Sequence, residues 1–412
     1  MKTSRRTFLR TAGAGAIGVK LMSPRLGETH GESRYDVAVV GAGVFGAWTA
    51  FELRARGLKV ALVDSYGPGS SRASSGGESR VIRMGYGADE IYSRWAAHSL
   101  ERWISFSERV KKPLFYKTGV LWMARSDDPI TTQSLATLQK LGVPHEQIRR
   151  PELEVRYPQI DFGPVTWAIY EPGSGVLMAR RAVQAVVEEA TRGGVELIRG
   201  AARPPEGAKR RLDSLAIGSS AIQAGSFVFA CGPWLPKVFP SVLGERIFPT
   251  RQEVFYFGPP AGDGRFEPQA MPTWIDFGAE IYGMPDIESK GFKVAPDRHG
   301  PPFDPDSGER IITPASLGAV RDFLGQRFPI LRNAPLVASE VCQYENTSNG
   351  DFLVDRHPEL ENVWLVGGGS GHGFKHGPAL GEYVAAQVVG EGTREQRFSL
   401  ATKATTQKRS VH

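Results

Sequence analysis

Residues 35–65 read YDVAVVGAGVFGAWTAFELRARGLKVALVDS, and the fold turns on this stretch. An apolar run, Val37–Val40, leads into a glycine turn; a helical pattern follows, and a second apolar run ends at Asp64. The order apolar strand, turn, helix, strand defines a βαβ unit. Gly41, Gly43 and Gly46 complete the spacing G-x-G-x-x-G. The first glycine permits a tight turn, the second lets backbone approach a pyrophosphate, and the third lets helix and strand pack closely. The helix then points its free N–H groups at the phosphates. Asp64 closes the second strand, where a carboxylate accepts ribose hydroxyls. Three glycines alone occur in many turns, but with strand, helix and terminal acid in place they predict a dinucleotide site.

The same logic extends outward. SSRASSGGESRVIRMGYG (70–87) is rich in small residues and carries Arg72, Arg80 and Arg83; it reads either as a loop lying along the cofactor or as a solvated surface loop. DEIYSRWAAHSLERWISFSERV (89–110) has the spacing of a core-facing helix. Short strands are expected at YKTGVLWMA (116–124) and just before YEPGSGVL (170–177), with a helix beginning near Met178. SFVFACGPW (226–234) predicts a buried strand ending in Gly232-Pro233-Trp234. Residues 247–338 differ: IFPTRQEVFYF, AEIYGMP and KGFKVAP alternate like half-buried antiparallel strands separated by proline-rich loops. NVWLVGGGSGHGFKHGPALGEYVAAQVVG (362–390) then repeats the strand, glycine turn, helix pattern. The expected class is α/β. A Rossmann-like dinucleotide domain spans 35–115, 172–246 and 343–392, and an inserted α+β substrate domain on an antiparallel sheet spans 116–171 and 247–342.

With 412 residues, 41% hydrophobic and 23% charged, the chain suits a soluble globular protein of two domains. Its start, MKTSRRTFLRTAGAGAIGVKLM, looks like a twin-arginine export signal, followed by linker to residue 34. No A-x-A site follows and Lys20 interrupts the apolar run, so a plain basic tail is the alternative. Residues 1–34 carry seven basic and two acidic residues, which supply five of the formal +6 charges. The remainder is near neutral, which argues against a nucleic-acid partner. No stretch is long and apolar enough to predict stable membrane insertion, and no metal site is expected. Residues 393–412 read as a basic C-terminal tail, disordered in its closing KATTQKRSVH. Cys231 and Cys342 are the only cysteines, so a disulfide framework is excluded while a single bridge stays arithmetically possible.

Six segments in order carry a more specific likeness: the G-x-G-x-x-G unit, E-S-R-V-I-R (78–83), Y-E-P-G-S-G-V-L (170–177), R-Q-E (251–253), V-C-Q-Y (341–344) and G-S-G-H-G-F-K (369–375). Together they resemble the monomeric sarcosine oxidase and N-methyltryptophan oxidase branch of the D-amino-acid-oxidase-like FAD-dependent oxidoreductases, from Tyr35 to about Gly392. The resemblance implies FAD as cofactor, an amino acid and O2 as small-molecule partners, and FAD held by Gly41, Gly43, Gly46, Asp64, Gly371 and Gly373. It implies a thioether from Cys342 to the 8α carbon of FAD; by its residues alone, Cys342 reads rather as a buried inert thiol. Such a bond needs a thiolate at the dimethylbenzene edge, favoured by a neighbouring cation.

The resemblance also matches Tyr344 to an active-site tyrosine, Arg83 and Lys375 to the pair that grips the substrate carboxylate, Lys293 to the lysine above the flavin where oxygen is activated, and Arg80 to a basic residue near the flavin face. A planar fork plus a point charge suits a carboxylate. An ammonium 4 Å from developing negative charge contributes roughly 4 kcal/mol at an effective dielectric of 20. His372 fits a structural and a catalytic role equally. Departures also stand out: Ser75 and Gly76 replace a pair of histidines, and Asp297 stands where the family has a histidine. The implied function is an exported, periplasmic or secreted FAD-dependent oxidase of secondary amino acids that reduces O2 to hydrogen peroxide. The alternatives are a dehydrogenase using another acceptor and a non-catalytic flavin-binding protein.

Overall fold

The computed structural model describes residues 34–205, 207 and 209–408. The expected export signal, in residues 1–33, lies outside the described residues. A first sheet carries, in spatial order, strands Leu353–Arg356, Val363–Gly367, Ser220–Phe229, Arg34–Val40, Val60–Asp64 and Glu196–Arg199. Its central pairings are parallel; Leu353–Arg356 and the short strand Ser214–Ile217 run antiparallel at its margins. Both faces are covered, which is why its strands read as unbroken apolar runs rather than alternating ones. Val37 and Val39 face the helices Val44–Ala55, Glu90–Val110, Ala179–Arg192 and Gly377–Val388, while Ala38 and Val40 face Phe227, Phe229, Leu235 and Phe239 on the other side.

The second sheet has eight strands, in the order Leu336–Thr347, Ile247–Phe257, Phe292–Pro296, Ile281–Met284, Thr273–Asp276, Val120–Ala124, Trp167–Glu171 and Glu146–Arg149. Neighbours are antiparallel except Thr273–Asp276 and Val120–Ala124, which pair in parallel where the two inserted segments meet. One face packs Phe255, Phe257, Trp274 and Phe292 against helix Pro314–Arg327. Beneath it, buried Asp276 pairs with Arg327 at 2.8 Å and with Arg125 at 2.9 Å. The opposite face carries Val254, Tyr256, Tyr282 and Ala295. A three-stranded sheet, Arg80–Ile82, Gly175–Leu177 and Phe115–Tyr116, supplies Arg80.

Two boundaries differ from expectation. Strand Leu336–Thr347 pairs with Ile247–Phe257 along its whole length, from Thr347 opposite Ile247 to Leu336 opposite Phe257, so the second sheet continues past residue 342. The C-terminal segment is also not a free tail as far as residue 408. Phe398 is fully buried among Trp95, Tyr383 and Phe352, and Arg397 bridges Asp351 and Asp89. A composition count reads these basic residues as solvated, but one aromatic anchor and an ion pair suffice to dock them.

Candidate active site

The glycine turn is built as its spacing demands. Gly41 has φ +107°, and a Cβ there would lie 2.3 Å from the Ala230 carbonyl; a Cβ on Gly46 would lie 1.8 Å from the Gly41 carbonyl. Gly43 differs, with φ −71° and only Ser75 Oγ, at 3.5 Å, near its missing Cβ. Its bareness serves whatever enters the cavity, not the fold. Asp64 accepts from the amide of Ala42 at 2.7 Å and from those of Tyr66 and Gly67 at 2.8 and 2.5 Å, which ties the second strand to the turn. Ser75 Oγ accepts from Val44 N–H at 3.1 Å, so this residue caps the glycine-turn helix.

A long cavity runs from Gly41, Gly43 and Asp64 past Ser75 and Gly371 to Arg80, Cys342 and Tyr344. It crosses the carboxyl ends of the parallel strands, where open α/β sheets bind their ligands. Arg80 donates to Cys342 Sγ at 3.3 Å and to the Ser74 carbonyl at 2.7 Å, so a thiolate there has a cation beside it. Cys231 lies apart, its thiol against the Val40 carbonyl at 3.5 Å, and burial raises its pKa well beyond the ordinary range. Both cysteines are free.

A smaller pocket adjoins this cavity at Arg80, Tyr344, Gly371 and Phe374 and is lined also by Arg83, Tyr282, Asp297, His372 and Lys375. Arg83 is 7% exposed, donates to the Gly85 carbonyl, and has its guanidinium carbon over the rings of Tyr86 and Trp122, 4.5 and 4.6 Å from their centres. Lys375 donates to Tyr86 Oη at 2.8 Å and the His372 carbonyl at 3.0 Å; burial, then Arg83, hold its pKa well below the usual lysine range. Tyr344 donates to Asp297 at 3.2 Å. Burial raises the Asp297 carboxyl while Arg83 and the Tyr344 hydroxyl oppose the rise.

Lys293 projects from the inserted sheet toward Arg80–Ile82, donating to the Ser79 carbonyl at 2.8 Å and to Ser79 Oγ at 3.3 Å. It is 1% exposed, and burial followed by Arg80 lowers its pKa to about 7. His372 has both ring nitrogens engaged, Nδ1 with Tyr86 Oη at 3.2 Å and Nε2 with the Gly350 carbonyl at 3.0 Å, and stacks on Phe352. That geometry favours holding the glycine turn over proton transfer.

The structure thus gathers Arg83, Lys375, Tyr344 and Arg80 around one pocket and places Lys293 outside its lining, hydrogen-bonded to Ser79, the residue before Arg80. It adds residues that sequence reasoning missed. Tyr282 lines the pocket, its phenol pushed up to about 12 by burial. Tyr86 links Lys375, His372 and, at 2.7 Å, His376. Glu171, fully buried, accepts from Met84 and Gly85 amides, Trp122 Nε1 and Ser174 Oγ, and so fixes the loop that carries Arg83. Glu171 and Ser174 account for the Y-E-P-G-S-G-V-L segment. Tyr282 carries a signal of its own: in AEIYGMP it falls on the alternation opposite the apolar face.

Fold and site define a dinucleotide-type cavity adjoined, at its Arg80 end, by a compact pocket walled by Arg83, Lys375 and Asp297. Residues 36–387 match the family model described as FAD dependent oxidoreductase. The chain belongs to this family and is an FAD-dependent oxidoreductase. It is 31% identical over 359 residues to monomeric sarcosine oxidase of Streptomyces avermitilis, covering 85% of this chain and 92% of that one. It is 25% identical to N-methyl-L-tryptophan oxidase of Salmonella agona, over 87% and 95% of the two chains. In structure it is similar to L-proline dehydrogenase from P. horikoshii, with a TM-score of 0.77, 23% identity, and 90% and 97% of the chains covered. The resemblance read from six short segments therefore holds across the chain. The residues fit FAD: a Cβ-free cradle at Gly43, the amides of two glycine turns, and a cavity ending in a cation-paired thiol.

Proposed function

We propose that this protein oxidises secondary, N-alkyl amino acids, passes the electrons to O2, and works outside the cytoplasm after twin-arginine export. The observation that carries the reading is the pocket in which Arg83 and Lys375 face a small space adjoining the cofactor cavity at Tyr344 and Arg80. In this reading Arg83 and Lys375 hold the substrate carboxylate, which restores the charge that burial withdraws from Lys375. Tyr344 and Asp297 face the amine, and Asp297 accepts its proton or hydrogen bond. Carboxylate grip at one end and amine contact at the other orient the α C–H toward the cofactor. Bound FAD would supply the acceptor for the hydride, which carries both electrons of the oxidation.

Lys293, in its protonated form, supports reduction of O2 by placing positive charge where negative charge develops. Cys342 tethers FAD, with the Arg80 guanidinium hydrogen-bonded to its sulfur. The inserted sheet acts as the substrate domain and the parallel sheet as a Rossmann-like FAD domain. Asp297, set among cations, suits an amine with cationic or strongly hydrogen-bonding character, such as a basic N-alkyl amino acid.

Acid precipitation of the purified protein tests the tether: flavin retained in the pellet of wild type and released from Cys342→Ala is the expected result. Release from both removes the covalent bond while leaving the cofactor. A rate screen tests the substrate: turnover with hydrogen peroxide formed in step with amine consumed is expected to rise from sarcosine to basic N-alkyl amino acids. A fall along that series sinks the cationic preference, and turnover without O2 uptake sinks the oxidase reading.

A further inference from the structure

Glu345 lies on strand Leu336–Thr347, three residues beyond Cys342, in the wall of the cofactor cavity. It is 6% exposed, and its Oε1 has no hydrogen-bond partner among the described residues. Its carboxyl sits where parallel strands end. A Cβ on Gly367 would lie 2.2 Å from Oε1, and one on Gly232, just past strand Ser220–Phe229, 3.9 Å from Oε2. The amides of Gly368 and Gly369 lie against it, and the Cys231 thiol faces it from the neighbouring strand end. Among the described residues no lysine or arginine pairs with it; the cavity's one described cation is Arg80, hydrogen-bonded to Cys342, and the other carboxylates on the cavity wall are Asp64 and Asp306.

A glutamate so placed has a difficulty. The phosphate-bearing chain of a dinucleotide crosses the carboxyl ends of these strands, and an ionised carboxylate beside it would repel it with no cation to compensate. A protonated carboxyl reverses the sign, because it offers one O–H donor and the cavity provides the acceptor.

We propose that Glu345 is a cofactor-holding residue that keeps its proton and donates it as a hydrogen bond to an oxygen of the ribityl–pyrophosphate chain of FAD. Burial is consistent with this, raising the carboxyl to about 8, so the proton is present at neutral pH. FAD affinity is then highest below pH 8 and falls about tenfold per pH unit above it, since deprotonation must be reversed for binding. The inference rests on the FAD reading of the cavity.

The test uses the full chain with Cys342→Ala, which leaves FAD exchangeable, alone and combined with Glu345→Gln or Glu345→Ala. FAD affinity is measured by flavin fluorescence from pH 6.5 to 9.5, with circular dichroism of each flavin-free protein as the check on folding. Glu345→Gln, which keeps a donor, is expected to hold FAD within about threefold of its parent and to lose the fall above pH 8. Glu345→Ala is expected to weaken FAD at least about tenfold at pH 7. Unchanged affinity in a folded Glu345→Ala protein overturns the proposal, as does a parallel pH dependence in Glu345→Gln and its parent, which decides the matter even if the alanine variant fails to fold. Absence of FAD binding in the parent itself overturns the cofactor reading along with this one.

Discussion

Lys293 shows how one buried cation couples stability to chemistry. Its pKa falls from the ordinary 10.5 to about 7 because burial disfavours the charge and Arg80 repels it. Between pH 7 and 10.5 the unfolded chain therefore holds a proton that the folded chain has lost, and stability contributed at this site rises with pH through that window. The expected gain is about 1.4 kcal/mol per pH unit at most, read as the difference between wild type and Lys293→Met in denaturant unfolding. A difference that stays flat from pH 7 to 10 shows that Lys293 keeps its charge in the fold. The same variant separates the half-reactions. Loss of the ammonium is expected to slow reoxidation by O2 about 10²–10³-fold and to leave reduction by the amine within a few fold; equal losses in both exclude the assigned role. Arg83 and Lys375 were legible because the ordered segments carried them, and Lys293, in KGFKVAP, only through the resemblance those segments established. Glu345, Tyr86 and Glu171 were not, since a buried carboxylate or phenol has meaning only once the strands around it are placed.

At the scale of the element, the glycine turn separates two demands that the sequence merges. Gly41 and Gly46 are required by the fold, because a Cβ at either meets backbone carbonyl at 2.3 or 1.8 Å, and Gly41 also has φ +107°. Gly43 is required only by the ligand. Gly43→Ala is therefore expected to leave the flavin-free protein within about 1 kcal/mol of wild type while abolishing FAD retention. Gly41→Ala is expected to lose at least about 2–3 kcal/mol as well. Thermal unfolding with flavin content resolves the two; equal destabilisation by both substitutions contradicts the division. The parallel sheet was readable because burial on both faces leaves continuous apolar runs. The one parallel pair in the second sheet, Thr273–Asp276 with Val120–Ala124, was not readable, because its partners lie about 150 residues apart and nothing local records their direction.

At the scale of the whole molecule, the C-terminal segment joins parts that the sequence leaves separate. Phe398 packs 5.2 Å from Trp95 on the long helix, 5.9 Å from Tyr383 on the last helix and 5.7 Å from Phe352, whose ring stacks on His372 in the pocket wall. Arg397 adds its bridges to Asp351 at 2.7 Å and Asp89 at 3.2 Å, and Lys403, fully buried, donates to the Arg397 carbonyl at 2.8 Å. Phe398→Ala is expected to cost about 3–5 kcal/mol, the usual range for a fully buried ring. Because Phe352, whose ring stacks on His372, loses a packing partner, the amine's KM is also expected to rise, with flavin content unchanged, since neither Phe352 nor His372 lines the dinucleotide cavity. The two readouts part the explanations: a fall in melting temperature without a change in KM confines the segment to stability. A wild-type melting temperature in Phe398→Ala shows that the ring is not the anchor, and leaves the Arg397 bridges to hold the segment.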